Sequence, residues 1–384
     1  MRIAIVGGAL LIVGAFAVVF GVLPLPALAA LGERVWPILL FIVAITVVTE
    51  LAAAAGLFTV IAEQLARWGL RRAWLLWLLV VALATVSTIF LSLDTTAVLL
   101  TPVVVTLARN VGLPTVPFAL TTVWLANSAS LLLPVSNLTN LLAANRLVGF
   151  SPARFAALMA APAAVAVVVP SVLVFLLYRR ALLSSYEPPA RIAPEDRVLL
   201  WAAAVVVVVV LPLLVSGLPI WIPAAGGALV LGAFFVVRRP AAVRFALLPW
   251  PLVVFACGLF LVVAAASSLG LESFLRGAAG AGDGFIPLLR LAGTGVLSAN
   301  AVDNLPAYLA LEATTGSPAR IAALLIGVNA GPLITPWASL ATLLWAGRLA
   351  GLDARIPWRH FMLLGLVVVP ITVVPAVAAL FFVG

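Results

Sequence analysis

The chain has 384 residues, of which 65% are hydrophobic and 9% charged. That balance excludes an ordinary soluble globule, which has no means of covering so much apolar surface, and several successive runs are long enough to cross a bilayer. All 21 basic residues are arginine and the net charge is +9, but the arginines sit in short loops between apolar runs, so they speak for membrane topology and not for nucleic acid.

A single cysteine, Cys257, rules out an intrachain disulfide and a thiolate metal cluster, and a single histidine, His360, rules out a His-rich metal site. No phosphate-binding glycine loop is present, so no cofactor is expected and the chain is not expected to hydrolyse ATP.

In chain order, residues 3–22 form the first expected span. Arg2 and Ala27-Leu28-Ala29 resemble a secretory signal, but Gly7-Gly8-Ala9-Leu10 recurs as Gly226-Gly227-Ala228-Leu229, and a segment with a twin is expected to be retained. The second span, about 36–58, opens with Trp36-Pro37 and has a twin opening with Trp250-Pro251. Glu50 lies deep in it and is matched by Ala264. Residues 59–73 read as an interfacial helix. Next come two apolar arms, 74–93 and 95–108, joined at Asp94-Thr95-Thr96. The second arm falls short of the ~20 residues needed for a crossing, so a re-entrant hairpin is expected. Its twin has arms at about 285–301 and 305–315, with Asn300, Asp303 and Asn304 near the tip.

Residues 117–146 carry Asn127, Ser128, Ser130, Ser136, Asn137, Thr139 and Asn140 around Pro134. Proline breaks a helix, and freed backbone groups survive in hydrocarbon where they are buried in protein or line a cavity. This is the pattern of a discontinuous transmembrane helix. The plainer reading is a kinked helix joined to its neighbours by Ser and Asn. A twin favours the first: Asn127 aligns with Asn329 at an offset of 202, and without a gap Pro134 then meets Pro336 and Leu138 meets Leu340. Paired broken helices in two halves are a pointer to a secondary transporter's binding site. A span at 154–178, a charged linker at 179–197 and an unpaired span at 198–215 separate the halves. The second set then runs 220–237, 250–270, the hairpin, a broken helix at 320–347 and a span at 360–383.

The expected fold is thus an all-α polytopic membrane protein of about nine crossings. A first repeat covers 1–178, a linker with the unpaired helix 179–217, and a second repeat 218–384. An odd number of crossings separates an element from its twin, so the repeats are inverted. Arg67, Arg71, Arg72, Arg109, Arg179, Arg180, Arg191, Arg238, Arg239 and others share the N-terminal side. The opposite side holds Arg34, Arg146, Arg154, Arg276, Arg290 and Arg320, the last two starting membrane elements where they could snorkel. By the positive-inside rule the N-terminus is cytoplasmic and Gly384 is outside, in the inner (plasma) membrane. Glu312 is expected to pair with Arg290 near the outer interface.

Asp94 to Val103, Ala129-Ser130 to Asn140, Asp303-Asn304-Leu305-Pro306 and Gly331 to Pro336 with Ser339 to Trp345 resemble the ArsB-type arsenical pump membrane proteins of the ion transporter superfamily. The similarity spans nearly the whole chain. It implies extrusion of arsenite or antimonite driven by the proton motive force, with a cytoplasmic ArsA-type ATPase as a further partner. The chain departs from that family at Asn127 and Asn329, where an acidic residue is usual, at Leu333, where a lysine is usual, and at Ser267, where an arginine is usual. The family's acidic pair falls near Ala53-Ala54, whereas this chain has Glu50. Asp303 stands where asparagine is common.

Arsenite at neutral pH is mostly an uncharged trihydroxide, which calls for hydrogen-bond donors and acceptors. The expected substrate-binding set is Asn127, Ser128, Ser130, Ser136, Asn137, Asn329, Thr335, Ser339, Thr95 and Asn304. Ionisable groups within a membrane are functional by default, so Asp94, Asp303 and Glu50 are the expected coupling groups. Capping of the second hairpin arm is the competing role for the two aspartates, and Cys257 is read as a small buried apolar residue. Two other functions stay open: a sodium- or proton-coupled anion or dicarboxylate carrier, and the channel subunit of an ArsA-type ATP-driven pump.

Overall fold

The structure, a computed structural model, describes residues 2–147, 149, 151–189 and 194–383. Arg191 in the linker and Gly384, the expected outer terminus, lie outside the described residues. Among the described residues the regular elements are helices, and a lone bridge joins Arg72 to Ser185. Among the described residues, eight helices are long and apolar enough to cross a membrane.

Helix α1 (Arg2–Val19) leads to α2 (Leu25–Ala54), which starts well before the expected residue 36. Pro24 and Pro26 suit a first turn, whose N–H groups lack partners in any case, so Ala27-Leu28-Ala29, Glu33 and Arg34 are helical. At the other end α2 stops at Ala54, so Glu50 is one turn from the terminus and not deep in the span. Gly56, at φ 82°, turns the chain into α3 (Leu57–Trp68). Gly270, at φ 93°, makes the same left-handed turn from α12 (Trp250–Ser268) into α13 (Leu271–Ala279), a helix that had not been expected. Glycine adopts this conformation without a Cβ penalty.

The first hairpin is α4 (Ala73–Leu91) followed by a helical run made of α5 (Leu93–Thr95), a π-helical turn (Thr96–Leu100) and α6 (Thr101–Asn110). The break falls at Ser92, with φ 92° and ψ 160°, and not at Asp94-Thr95-Thr96, which begin the second arm. That arm runs 93–110, about 27 Å at the helical rise, so it is longer than the sequence suggested. The broken helix comprises α7 (Thr115–Ser128), two 3₁₀ turns (Ala129–Leu131 and Pro134–Ser136) and α8 (Leu138–Arg146). The long α9 (Pro152–Leu182) follows. Asp196 caps α10 (Arg197–Leu214) by accepting from Val198 and Leu199 N–H. The adjoining Arg238 guanidinium holds the Asp196 carboxyl below the usual carboxylate range.

After α10 come α11 (Trp221–Arg238), then α12 and α13. The second hairpin is α14 (Phe285–Val302) and α15 (Asn304–Leu311), broken at Asp303 with φ 120° and ψ 156°. The second broken helix is α16 (Pro318–Ala330) and α17 (Leu340–Ala350), and α18 (Trp358–Val383) ends the described chain.

The packing exchanges elements between the halves. Helix α1 packs along α12, while α11 packs along α2. Each first helix therefore leans on the second helix of the other half. A Cβ at Gly7 would stand 2.7 Å from Phe255 Cα, and one at Gly258 would stand 2.7 Å from Gly7 O. Small residues let helices approach this closely where lipid supplies no hydrophobic drive. Likewise α15 touches α8, and α17 touches α5 and its π-helical extension.

One expected pairing is corrected. Glu312 pairs with Arg34, not Arg290, because the longer α2 carries Arg34 to it: Nη1 donates to Oε1 at 2.8 Å and Nη2 to Oε2 at 2.7 Å. Arg290 instead donates to Gly277 O and Ala278 O, and the buried Arg320 to Gly280 O and Gly282 O, so both satisfy loop and helix-end carbonyls. Cys257 is half-buried.

Candidate functional site

Both helix breaks are held open by asparagine. In the first, Leu133 is extended ahead of Pro134, as residues before proline are, and Asn137 is extended again at the start of α8. Asn140 Nδ2 donates to Ser130 O at 2.7 Å and Leu133 O at 2.9 Å, satisfying the freed carbonyls. In the second, Asn300 Nδ2 donates to Gly331 O at 2.9 Å, and its Oδ1 accepts from Ile334 N–H at 3.2 Å and Thr335 N–H at 2.9 Å. A buried backbone group without a partner is costly, so one amide at each break stabilises the unwound chain.

Four helical runs begin around one cavity of about 70 Å³. Their cap and first residues all line it: Ser92-Leu93, Asn137-Leu138, Asp303-Asn304 and Ser339-Leu340. A helix N-terminus presents free N–H groups and the positive end of its dipole. Three of the caps are filled from within, the weakest by Ser92 Oγ, which accepts from Thr95 N–H at 3.4 Å. Asp303 Oδ1 accepts from Leu305 N–H at 3.1 Å, and Asn137 Oδ1 from Thr139 N–H at 3.3 Å. Ser339 makes no cap bond, and its buried hydroxyl has no partner. Asp94 also lines the cavity, with Oδ1 buried and unpartnered. The lining includes no arginine. The two aspartates are not equivalent: Asp303 occupies the break itself, whose counterpart is Ser92, whereas Asp94 lies two residues further on. Capping thus belongs to Asp303 and not to Asp94.

Two further cavities share lining residues with this one. One of about 200 Å³ is lined by Thr46, Thr49, Glu50, Asp94, Thr95 and Pro251 among others, and shares Thr46, Asp94, Leu252 and Leu340 with the central cavity. Another of about 590 Å³ is lined by Glu33, Arg34, Pro134, Asn145 and Trp221, and shares Leu141 with the central cavity.

The structure brings Asp94, Asp303, Asn137, Asn304 and Ser339 to the central cavity, and Thr95 and Glu50 to the chamber beside it. Asn127, Ser128, Ser130, Ser136, Asn329 and Thr335 do not line these cavities. Asn329 Oδ1 accepts from Asn137 Nδ2 and Thr139 Oγ1, both at 2.9 Å, and its Nδ2 donates to Asn140 Oδ1 at 2.8 Å. It joins the two broken helices behind the wall. Asn127 Nδ2 donates to Val123 O, Ser130 Oγ to Asn127 O, Ser136 Oγ to Ile89 O and Thr335 Oγ1 to Asn300 O. Buried Ser128 Oγ and Asn127 Oδ1 lack partners. Sequence reasoning missed Thr46 and Ser92 as lining residues. Ser92 was legible as an N-cap type three residues before Thr95, whereas Thr46 carries no signal within its apolar span.

Membrane-length helices, with two broken helices meeting at a small cavity whose polar groups are set in a mainly apolar wall, define a polytopic membrane transporter and not an enzyme. The chain belongs to the family CitMHS, described as citrate transporter, whose profile matches residues 2–341. It is 29% identical over 378 residues to the arsenical pump membrane protein of Escherichia coli K12, covering 91% of this chain and 87% of that one. The arsenical pump membrane protein of Yersinia enterocolitica is 29% identical, covering 94% and 90%. A putative arsenical pump membrane protein of Bacillus subtilis is 23% identical, covering 94% and 91%. Among solved structures, the Alcanivorax borkumensis YdaH transporter shares the fold with a TM-score of 0.59 at 15% identity, over 99% of this chain and 97% of that one.

Proposed function

We propose that the protein exports arsenite or antimonite from the cytoplasm by alternating access, coupled to proton entry. The carrying observation is the lining of the central cavity: four helix N-termini, hydroxyls and amides, two carboxylates and no arginine. N–H donors with carboxylate and hydroxyl acceptors suit an uncharged trihydroxide, which needs both kinds of partner. The names of the arsenical pump relatives support the same substrate. Re-entrant hairpins and inverted repeats fit the exchanged packing of α1 on α12 and α11 on α2. Parity survives the longer second arm of the first hairpin, because a hairpin returns to its own side whether or not its arms cross. Asp94 and Asp303 are the proposed proton carriers, Glu50 a relay in the flanking chamber, and the N-terminus is cytoplasmic.

The family description favours a second reading, an organic-anion carrier using sodium or protons, and four positive helix ends would suit it. Against it stand two carboxylates in the lining and a volume of about 70 Å³, well under the ~300–1,000 Å³ usual for organic ligand pockets. Uptake of arsenite into everted vesicles, with ATP withheld, decides between them. An imposed proton gradient is expected to drive accumulation and a protonophore to abolish it. Citrate accumulation without arsenite would replace the proposal, and a strict need for ATP and a cytoplasmic ATPase would make the chain a pump channel.

A further inference from the structure

The three cavities are unequally joined. The central cavity shares four residues with the Glu50 chamber, but only the buried Leu141 with the 590 Å³ vestibule. The ion pair of Arg34 and Glu312 stands near that residue. Arg34 lines the vestibule from α2, and Glu312 closes the second hairpin arm from just beyond α15. The guanidinium fork grips both carboxylate oxygens, and Nη2 also lies 3.5 Å from Leu142 O, the residue after Leu141 in α8. One side chain thus ties together α2, the second hairpin and the broken helix next to the shared lining residue Leu141. Both partners are largely withdrawn from solvent, with side-chain exposures of 27% and 11%. A bidentate Arg–carboxylate pair adds geometric specificity to its attraction, and separating a largely buried pair costs more than separating a surface one.

We infer that Arg34 and Glu312 are the latch of the vestibule-side gate, with Leu141 as its plug. With the pair closed, the central site communicates with the Glu50 chamber and is sealed from the vestibule. Opening to the vestibule requires the fork to release Glu312 and Leu142 O, which frees α8 and the hairpin to part from α2. The inference rests on the alternating-access reading but not on any substrate, so it is tested by accessibility and not by transport.

Thr46 lines both the central cavity and the Glu50 chamber, and its hydroxyl only back-bonds to Ile42 O. Thr46→Cys in a Cys257→Ala background is therefore a mild reporter. A membrane-impermeant maleimide is applied to right-side-out and to everted vesicles. The latched protein is expected to react from one vesicle orientation. Arg34→Gln or Glu312→Gln should raise the labelling rate from the other orientation at least three-fold. The exchange Arg34→Glu with Glu312→Arg should bring it back toward the unmodified rate. If either single variant fails to reach the membrane, Arg34→Lys, which keeps the charge and loses the fork, should give a smaller rise in the same direction. Labelling from the vestibule side that stays unchanged in the variants that do reach the membrane would overturn the latch. So would an exchanged pair that labels as fast as the single variants.

Discussion

Ser339 and Asn329 are both buried polar residues near the second break, yet they have opposite surroundings. Ser339 Oγ lines the cavity and is unpartnered, so its removal leaves no orphaned group in the fold. Asn329 has three polar partners, on Asn137, Thr139 and Asn140. Each of them is buried, and a buried group that loses its partner costs about 1–3 kcal/mol. Ser339→Ala is expected to leave the thermal stability of the detergent-solubilised protein unchanged. It should raise the half-saturation concentration for arsenite by about 2–10-fold, the value of one hydrogen bond of about 0.5–1.5 kcal/mol. Asn329→Ala is expected to lower the melting temperature by several degrees. Melting curves and vesicle uptake on the two variants check this, and an equal loss of stability in both would place them in the same structural role.

At the scale of the element, the contact of α1 with α12 is set by glycines, Gly7 and Gly14 on one helix and Gly258 on the other. A Cβ at Gly258 would meet Gly7 O and Leu11 N at 2.7 Å, and these are backbone atoms that cannot rotate away. Gly258→Leu is expected to force the helices apart and to cut the yield of monodisperse protein several-fold, since overpacking a tight contact costs about 1–3 kcal/mol or more. Gly8→Leu makes a fair control, because nothing lies within 4 Å of a Cβ there. Size-exclusion profiles of the two variants read the difference directly.

For the whole molecule, the asymmetry between Asp94 and Asp303 bears on coupling. Asp94 belongs to both the central cavity and the Glu50 chamber, while Asp303 lines the central cavity and caps α15. Asparagine keeps the shape and the capping oxygen of aspartate but has no titratable proton. Asp94→Asn is expected to abolish gradient-driven accumulation while leaving equilibrium exchange of labelled arsenite intact. Asp303→Asn should spare the fold, and Asp303→Ala should destabilise it by about 0.5–2 kcal/mol through the lost cap. If Asp94→Asn, Asp303→Asn and Glu50→Gln all still concentrate substrate in response to pH, coupling does not run through these groups.

The helices themselves were written in the sequence, because an apolar run of membrane length, proline in a polar centre and glycine at a turn act locally. Pro134 and Pro336 marked both broken helices, and the gap-free match of their flanks marked them as a pair. The start of α2 was missed because Leu25 to Arg34 mixes apolar and charged residues, and Pro24 and Pro26 read as a turn although they suit a helix start. Tertiary structure alone decided which polar residues face the cavity. Asn127, Asn329 and Ser339 look alike in sequence, but a side chain's exposure to a shared cavity depends on helices that lie far apart in the chain. The same holds for Arg34 and Glu312, 278 positions apart. No local rule pairs them, and the approach of α2 to the end of the second hairpin does.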